Sequence, residues 1–246
     1  MRHAVLILGI ARSGTSAVAG TLAAAGLPFG DGLKPPDWQN PRGNHEDFAL
    51  SRLNQALLAH FGATWSTSRP LPPGWERQPG IAPFAAHIGA EIEARFGRRA
   101  IFGLKDPRLV PLYPLYSDIL RKARWQPHLV TVERDRREVL TSIRRSGYFH
   151  GLYLPWRGRR LYRHYMDQIA ALRADPGSNH VHYAELVADP EGSVARLVAA
   201  LPFDAAGVAP DVARGAGFID AALWRNRAPG GPGRPGRPAD APMPGA

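Results

Sequence analysis

Apolar positions along this chain follow two rhythms. Short runs at Ala4 to Leu8, Ala100 to Leu104, Leu129 to Glu133 and His180 to Tyr183 predict strands. Longer stretches with helical spacing predict helices over Thr15 to Ala25, His45 to Phe61, Pro83 to Phe96, Val110 to Arg121, Arg137 to Arg145, Arg159 to Ala174 and Pro190 to Leu201. Strands that alternate with helices imply an α/β fold of three layers, with a central parallel sheet and covering helices. The first strand leads straight into a glycine-containing loop and then a helix, the arrangement of a phosphate-binding loop.

Two segments break these rhythms. Arg69 to Pro83 carries five prolines, which exclude regular helix and central strand, and is expected to be a surface loop and a candidate lid. Residues 228–246 contain six prolines and five glycines with little to bury, so they are expected to be a disordered tail after a single domain over 1–227. No repeat of 20 to 50 residues is visible.

The 246 residues include 44% hydrophobic and 21% charged positions, ordinary globular values. With no cysteine in the chain, disulfides, thiolate nucleophiles, zinc ribbons and iron-sulfur clusters are excluded. The net charge of +10 favours an anionic partner. Of 31 basic residues only Lys34, Lys105 and Lys122 are lysines, and arginine suits phosphate or sulfate held in fixed geometry. The apolar run after Arg2 and His3 is too short and too soon broken, by Arg12 to Thr15, for a secretory leader, and no stretch approaches a membrane span. A cytoplasmic location is expected.

Gly9-Ile10-Ala11-Arg12-Ser13-Gly14-Thr15-Ser16 has the glycine spacing of a phosphate loop. Glycines let backbone amides converge on an anion, and the helix that follows adds its partial positive charge. An ATP-hydrolysing loop carries a lysine after the second glycine, where this chain has Thr15; its cation is Arg12, inside the loop. A phosphate-like group is expected here without the usual clamp on a transferable γ-phosphate. Further on, Arg134 ends a predicted strand and Ser142 follows eight residues later in the next helix. Both can face the ligand-binding edge of the sheet and hold a second phosphate.

Taken together, these two segments resemble sulfotransferases that use 3'-phosphoadenosine 5'-phosphosulfate. Gly9 to Ser16 is similar to that family's 5'-phosphosulfate loop, and Arg134 with Ser142, at the same eight-residue separation, to its 3'-phosphate clamp. Asn40 to Asp47, Gly103 to Arg108 and Val181 to Pro190 resemble segments of bacterial members. The resemblance implies a cosubstrate site of Arg12, Ser13, Gly14, Thr15, Ser16, Arg134 and Ser142, with Arg225 and Arg227 added near the end of the fold. It implies in-line transfer of a sulfuryl group to a hydroxyl or amine, mostly by positioning and electrostatic stabilisation, without a metal.

Departures from the family are informative. Arginine replaces the frequent loop lysine and is a poorer proton donor, so Arg12 is expected to stabilise charge. The position of the usual catalytic histidine, two after Lys105, is Pro107. Lys105 is expected to neutralise the moving group, and the proton acceptor is then Glu46 or Asp106. Glu46 is preferred, because it opens a predicted helix at the sheet edge while Asp106 sits between Lys105 and Arg108, which should lower its basicity.

Other features carry less. His180 and His182 share a strand face but lack a third ligand, so no metal is expected. Trp65, Trp75, Trp156 and Trp224 line an acceptor pocket or cap the core. Arg121, Lys122, Arg124 and Arg157, Arg159, Arg160, Arg163 read as a solvated basic surface. Two rival functions stay open: a nucleotide or small-molecule kinase with a degenerate loop, and a basic nucleic-acid-binding protein, the latter disfavoured because aromatics are not interleaved with arginines. The acceptor, with sugars, lipids, peptides and phenols all open, and the oligomeric state are not fixed by sequence.

Overall fold

A computed structural model of the chain describes residues 1–38, 40–146, 155–175 and 177–226. Strand β1 (Arg2–Leu8) is buried from residue 3 onward. Ala4, Leu6 and Leu8 enter one core while Val5 and Ile7 enter another, so an unbroken apolar run is what a strand covered on both faces requires. β1 pairs in parallel with β2 (Ile101–Lys105) and β3 (Trp125–Glu133), and β4 (Ser178–His182) adds beyond β3, giving the order β2-β1-β3-β4.

The helices among the described residues are α1 (Thr15–Ala24), α2 (Phe48–His60), α3 (Ala82–Phe96), α4 (Leu109–Lys122), α5 (Arg136–Arg145), α6 (Pro155–Arg173), α7 (Tyr183–Ala188), α8 (Pro190–Ala200) and α9 (Val212–Gly217). Val18 and Leu22 of α1 and Val194 and Leu197 of α8 cover one face of the sheet. Leu57 of α2, Ile92 of α3, Leu112 of α4 and Leu161 of α6 cover the other. The expected three-layer α/β architecture with a central parallel sheet is the one formed. Ile7 pairs with Lys105 and Leu8 with Thr131, so the loop after β1, the end of β2 and the exit from β3 share one edge.

Several boundaries differ from expectation for local reasons. α2 starts at Phe48 rather than His45, because His45 is left-handed at φ 54° and the Asp47 carboxylate caps the helix by accepting from the Leu50 N–H at 3.0 Å. β3 begins four residues earlier than predicted. Pro127 lies within the added residues; β4 starts pairing only at Leu129, so the missing N–H falls beside an unpaired side of the strand. Tyr183 opens α7 instead of ending β4. Segment 69–83 forms two short 3-10 turns that bury Trp75 and Ile81 against the α2/α3 core, and none of its residues lines the cleft described below. The tail 228–246 and residues 147–154 lie outside the described residues. No helix among the described residues is long and apolar enough to cross a membrane.

Candidate active site

A cleft of about 400 Å³ opens at the C-terminal edge of β1, β2 and β3, where an open parallel sheet places ligands. Its floor is the loop before α1. Gly14 has φ 102°, and a Cβ there would stand 2.2 Å from the Tyr183 ring, so only glycine lets the loop close against α7. Arg12 also takes a left-handed backbone, at φ 74°. No side chain caps α1 and its first turn holds no acidic residue, which leaves helix N–H groups directed at the cleft. Arg12, Gly14, Thr15 and Ser16 all line it. Ser13 does not: its hydroxyl is buried and its N–H donates to Ile10 O at 3.1 Å.

A second cationic corner lies beside the loop. Asp135 caps α5 by accepting from the N–H groups of Arg137 and Glu138, which turns Arg134 into the cleft at the helix start and Ser142 two turns along. Arg134 Nε donates to Glu138 Oε2 at 2.8 Å, and its guanidinium stacks 4.6 Å above the Tyr183 ring. Trp224 Nε1 donates to the same Glu138 oxygen at 2.6 Å and packs edge-on to Tyr183. The two corners are joined, since Arg12 Nε donates to Ser142 Oγ at 3.0 Å and Arg134 donates to Arg12 O at 3.4 Å. The remaining Arg134 nitrogen, Nη2, is buried with no hydrogen-bond partner among the described residues. Arg225 lines the same cleft, whereas Arg227 lies outside the described residues.

The third part is a chain of alternating charges. Lys105 at the end of β2 donates to Glu46 Oε1 at 2.7 Å, and Lys34 donates to Glu46 Oε2 at 2.7 Å and to Ser51 Oγ at 2.5 Å. Ser51 accepts in turn from Arg108, which holds both Asp106 oxygens at 2.9 and 3.0 Å. Asn54 closes the chain, donating to Asp106 and accepting from the Tyr116 hydroxyl. Burial works against ionising Glu46, but Lys105 and then Lys34 outweigh it and hold its carboxyl down to about 2. For Asp106 the balance is reversed: burial and the Glu46 charge raise it despite Arg108.

These two directions correct the expectation that Lys105 and Arg108 would make Asp106 the weaker base. Lys105 pairs with Glu46 instead, and Glu46 is the strongly held carboxylate, sitting in the turn before α2 rather than on the helix. Access nevertheless separates the two, because Glu46 lines the cleft and Asp106 is not among its lining residues. Lys34, Tyr183 and Glu138 received no role from sequence. Lys34 had a visible signal, as one of only three lysines in an arginine-rich chain, and it converges with Lys105 on one carboxylate. Of the four tryptophans singled out by sequence only Trp65 lines the cleft; Trp75 is core, Trp224 belongs to the Arg134 corner and Trp156 is exposed.

A sequence model of the Sulfotransferase family matches residues 4–205. The chain belongs to the sulfotransferase family. It is therefore a transferase. Among solved structures, it is similar to the sulfotransferase domain of the Synechococcus PCC 7002 olefin synthase, with 21% identity over 87% of this chain and 76% of that one and a TM-score of 0.49. It is also similar to sulfotransferase STF1 from Mycobacterium tuberculosis H37Rv, at 16% identity, coverage of 88% and 70%, and a TM-score of 0.47. A gluconokinase from Sinorhizobium meliloti 1021 is 18% identical, with coverage of 83% and 99% and a TM-score of 0.45. No curated protein matches the chain.

Proposed function

We propose that this sulfotransferase moves a sulfuryl group from 3'-phosphoadenosine 5'-phosphosulfate to a hydroxyl or amine of its acceptor. The observation that carries the reading is the buried Arg134 Nη2, without a partner among the described residues, in a corner fastened to the phosphate-type loop. An arginine held by Glu138 on one side and a tyrosine ring on the other, with a donor to spare, fits an anion separate from the one at the loop. The left-handed Gly14 and the uncapped start of α1 fit the 5' group. Bound there, the cosubstrate supplies an activated sulfuryl group on its 5' phosphate.

The chain's own residues then divide the work. The α1 amides, Arg12, Thr15 and Ser16 hold negative charge at the 5' end; Arg134, Ser142 and Arg225 hold it at the 3' end. Lys105 and Lys34 each stand 2.7 Å from the deprotonated Glu46, and the exchange by Lys105 of Glu46 for the transferring group removes the larger of the two holds on that carboxylate. Glu46, still linked to Lys34, rises in basicity at that moment and takes the acceptor proton. Lys34 and Lys105 thereby couple donor binding to base strength. The buried Asp106 holds Arg108, which lines the cleft and donates to Ser51.

Titration calorimetry with adenosine 3',5'-bisphosphate, AMP and ATP tests the reading. The bisphosphate is expected to bind tightest. AMP binding equal to it removes the 3' clamp, and preferential ATP binding restores the kinase alternative.

A further inference from the structure

Glu133 at the end of β3 and His180 and His182 on β4 form a second polar cluster, and none of the three lines the cleft. Parallel register sets Thr131 beside His180 and Glu133 beside His182. The two-residue period of a strand puts both histidines on one face, where their rings meet edge-on at 4.5 Å. One carboxylate oxygen and one nitrogen from each ring all lie within 4.8 Å of one another. Two histidines alone suggested a solvated strand face; the fold supplies the third group that sequence spacing lacked.

Hydrogen bonding around His180 fixes which nitrogen faces the cluster. Thr131 Oγ1 donates to Asn179 O at 3.1 Å, so toward His180 Nδ1, at 2.9 Å, it is an acceptor. Nδ1 then carries the ring proton and Nε2 presents a lone pair. That Nε2 is buried without a hydrogen-bond partner among the described residues, with Glu133 Oε2 at 3.4 Å. A lone pair facing a carboxylate oxygen is unfavourable unless a cation lies between them. Arg173 approaches Glu133 Oε2 at 3.1 Å, and a carboxylate has lone pairs enough to serve it and a metal together.

We propose that Glu133, His180 and His182 form a three-ligand site for a borderline divalent cation, Zn²⁺ foremost. Bonds of about 2.0–2.1 Å in a tetrahedron put neighbouring ligand atoms about 3.3 Å apart, close to the Glu133 to His180 separation. Imidazole and carboxylate donors without thiolate suit Zn²⁺, Co²⁺ and Ni²⁺. Thr131 is the outer acceptor that orients the His180 ring. Glu133 and His182 directly precede Arg134 and Tyr183, so the ion ties β4 to β3 where those two residues leave the sheet for the anion corner. Its role is to position those strand ends.

The test is calorimetric titration of Zn²⁺ into the chelator-treated full chain, with Co²⁺ absorbance as a second readout. One ion per chain is expected, together with a higher melting temperature on Zn²⁺ addition. His182 is exposed, so His182→Ala folds as the parent does, and it should bind Zn²⁺ at least about 10-fold more weakly and lose the thermal gain. Thr131→Val keeps all three ligands and should weaken binding about 10–100-fold. His128→Ala, at the separate His3–His128 contact, should leave the site unchanged. No Zn²⁺ binding by the parent chain, or an affinity that His182→Ala leaves intact, overturns the proposal.

Discussion

Lys105 and Glu46 meet at 2.7 Å across 59 positions of chain, and the lysine side chain is only 4% exposed. The contact ties the end of β2 to the turn before α2 and leaves a carboxylate in the cleft that is ionised at every working pH. Glu46→Gln keeps an oxygen for Lys105 and removes the basic group. Turnover with any acceptor the parent uses is expected to fall about 100-fold or more, while adenosine 3',5'-bisphosphate binds as before. Near-full turnover in this variant removes Glu46 as the base.

Asp106 makes the contrasting case. Its oxygens accept from the Arg108 guanidinium and backbone N–H inside the core, so Asp106→Asn breaks a buried pair and leaves the arginine uncompensated. A loss of about 3–5 kcal/mol is expected in urea unfolding. A variant with parental stability and no turnover transfers the base role to Asp106.

The pH dependence of stability follows from Glu46. Its folded-state value, held down to about 2 from an ordinary 4.5, means stability present above pH 4.5 and lost as the pH falls toward 2. Asp106 is shifted upward and acts in the opposite sense, favouring the folded state at lower pH. The difference between parent and Glu46→Gln isolates the first effect: urea midpoints should converge as the pH drops from 4.5 to 2. Parallel midpoints across that range remove the proposed Lys105 and Lys34 hold.

Sequence made the sheet legible because β1 is apolar from Ala4 to Leu8 and its loop is dense in glycine and hydroxyl residues. It did not reveal how β3 tolerates Pro127, since that depends on where β4 begins to pair. The partners of Lys105 were equally hidden: the adjacent Asp106 looked like the natural one, but the side chain reaches Glu46 across the turn before α2. Ser13 shows the same limit within a motif. Its hydroxyl reads as a ligand by spacing, yet the loop turns it inward.

Arg134→Ala tests the second anion corner. Removing a charged donor should weaken the bisphosphate by about 1.5–3 kcal/mol and leave AMP almost unchanged, read by calorimetry. The corner also contains a stacked ring, so Arg134→Lys should recover only part of the affinity, because an ammonium lacks the planar fork. Equal losses for bisphosphate and AMP place the effect at the loop instead.

Truncation distinguishes the extreme C-terminus from the segment before it. Residues 228–246 are rich in proline and glycine, and their deletion is expected to change neither melting temperature nor bisphosphate affinity. Deletion from Leu223 is a different operation. Trp224 donates to Glu138 at 2.6 Å, the same oxygen that Arg134 uses, and its ring backs Tyr183; Asn226 accepts from Arg145 at 2.8 Å. Without the indole, Glu138 loses one of its donors and Tyr183 one of its ring neighbours beside Arg134, and Arg225 leaves the cleft altogether. The longer deletion should therefore weaken the bisphosphate by about 1–3 kcal/mol beyond its effect on AMP. A drop of more than about 4 °C in melting temperature from the shorter deletion shows that 228–246 docks on the fold, and an unchanged bisphosphate affinity in the longer one removes Trp224 and Arg225 from the site.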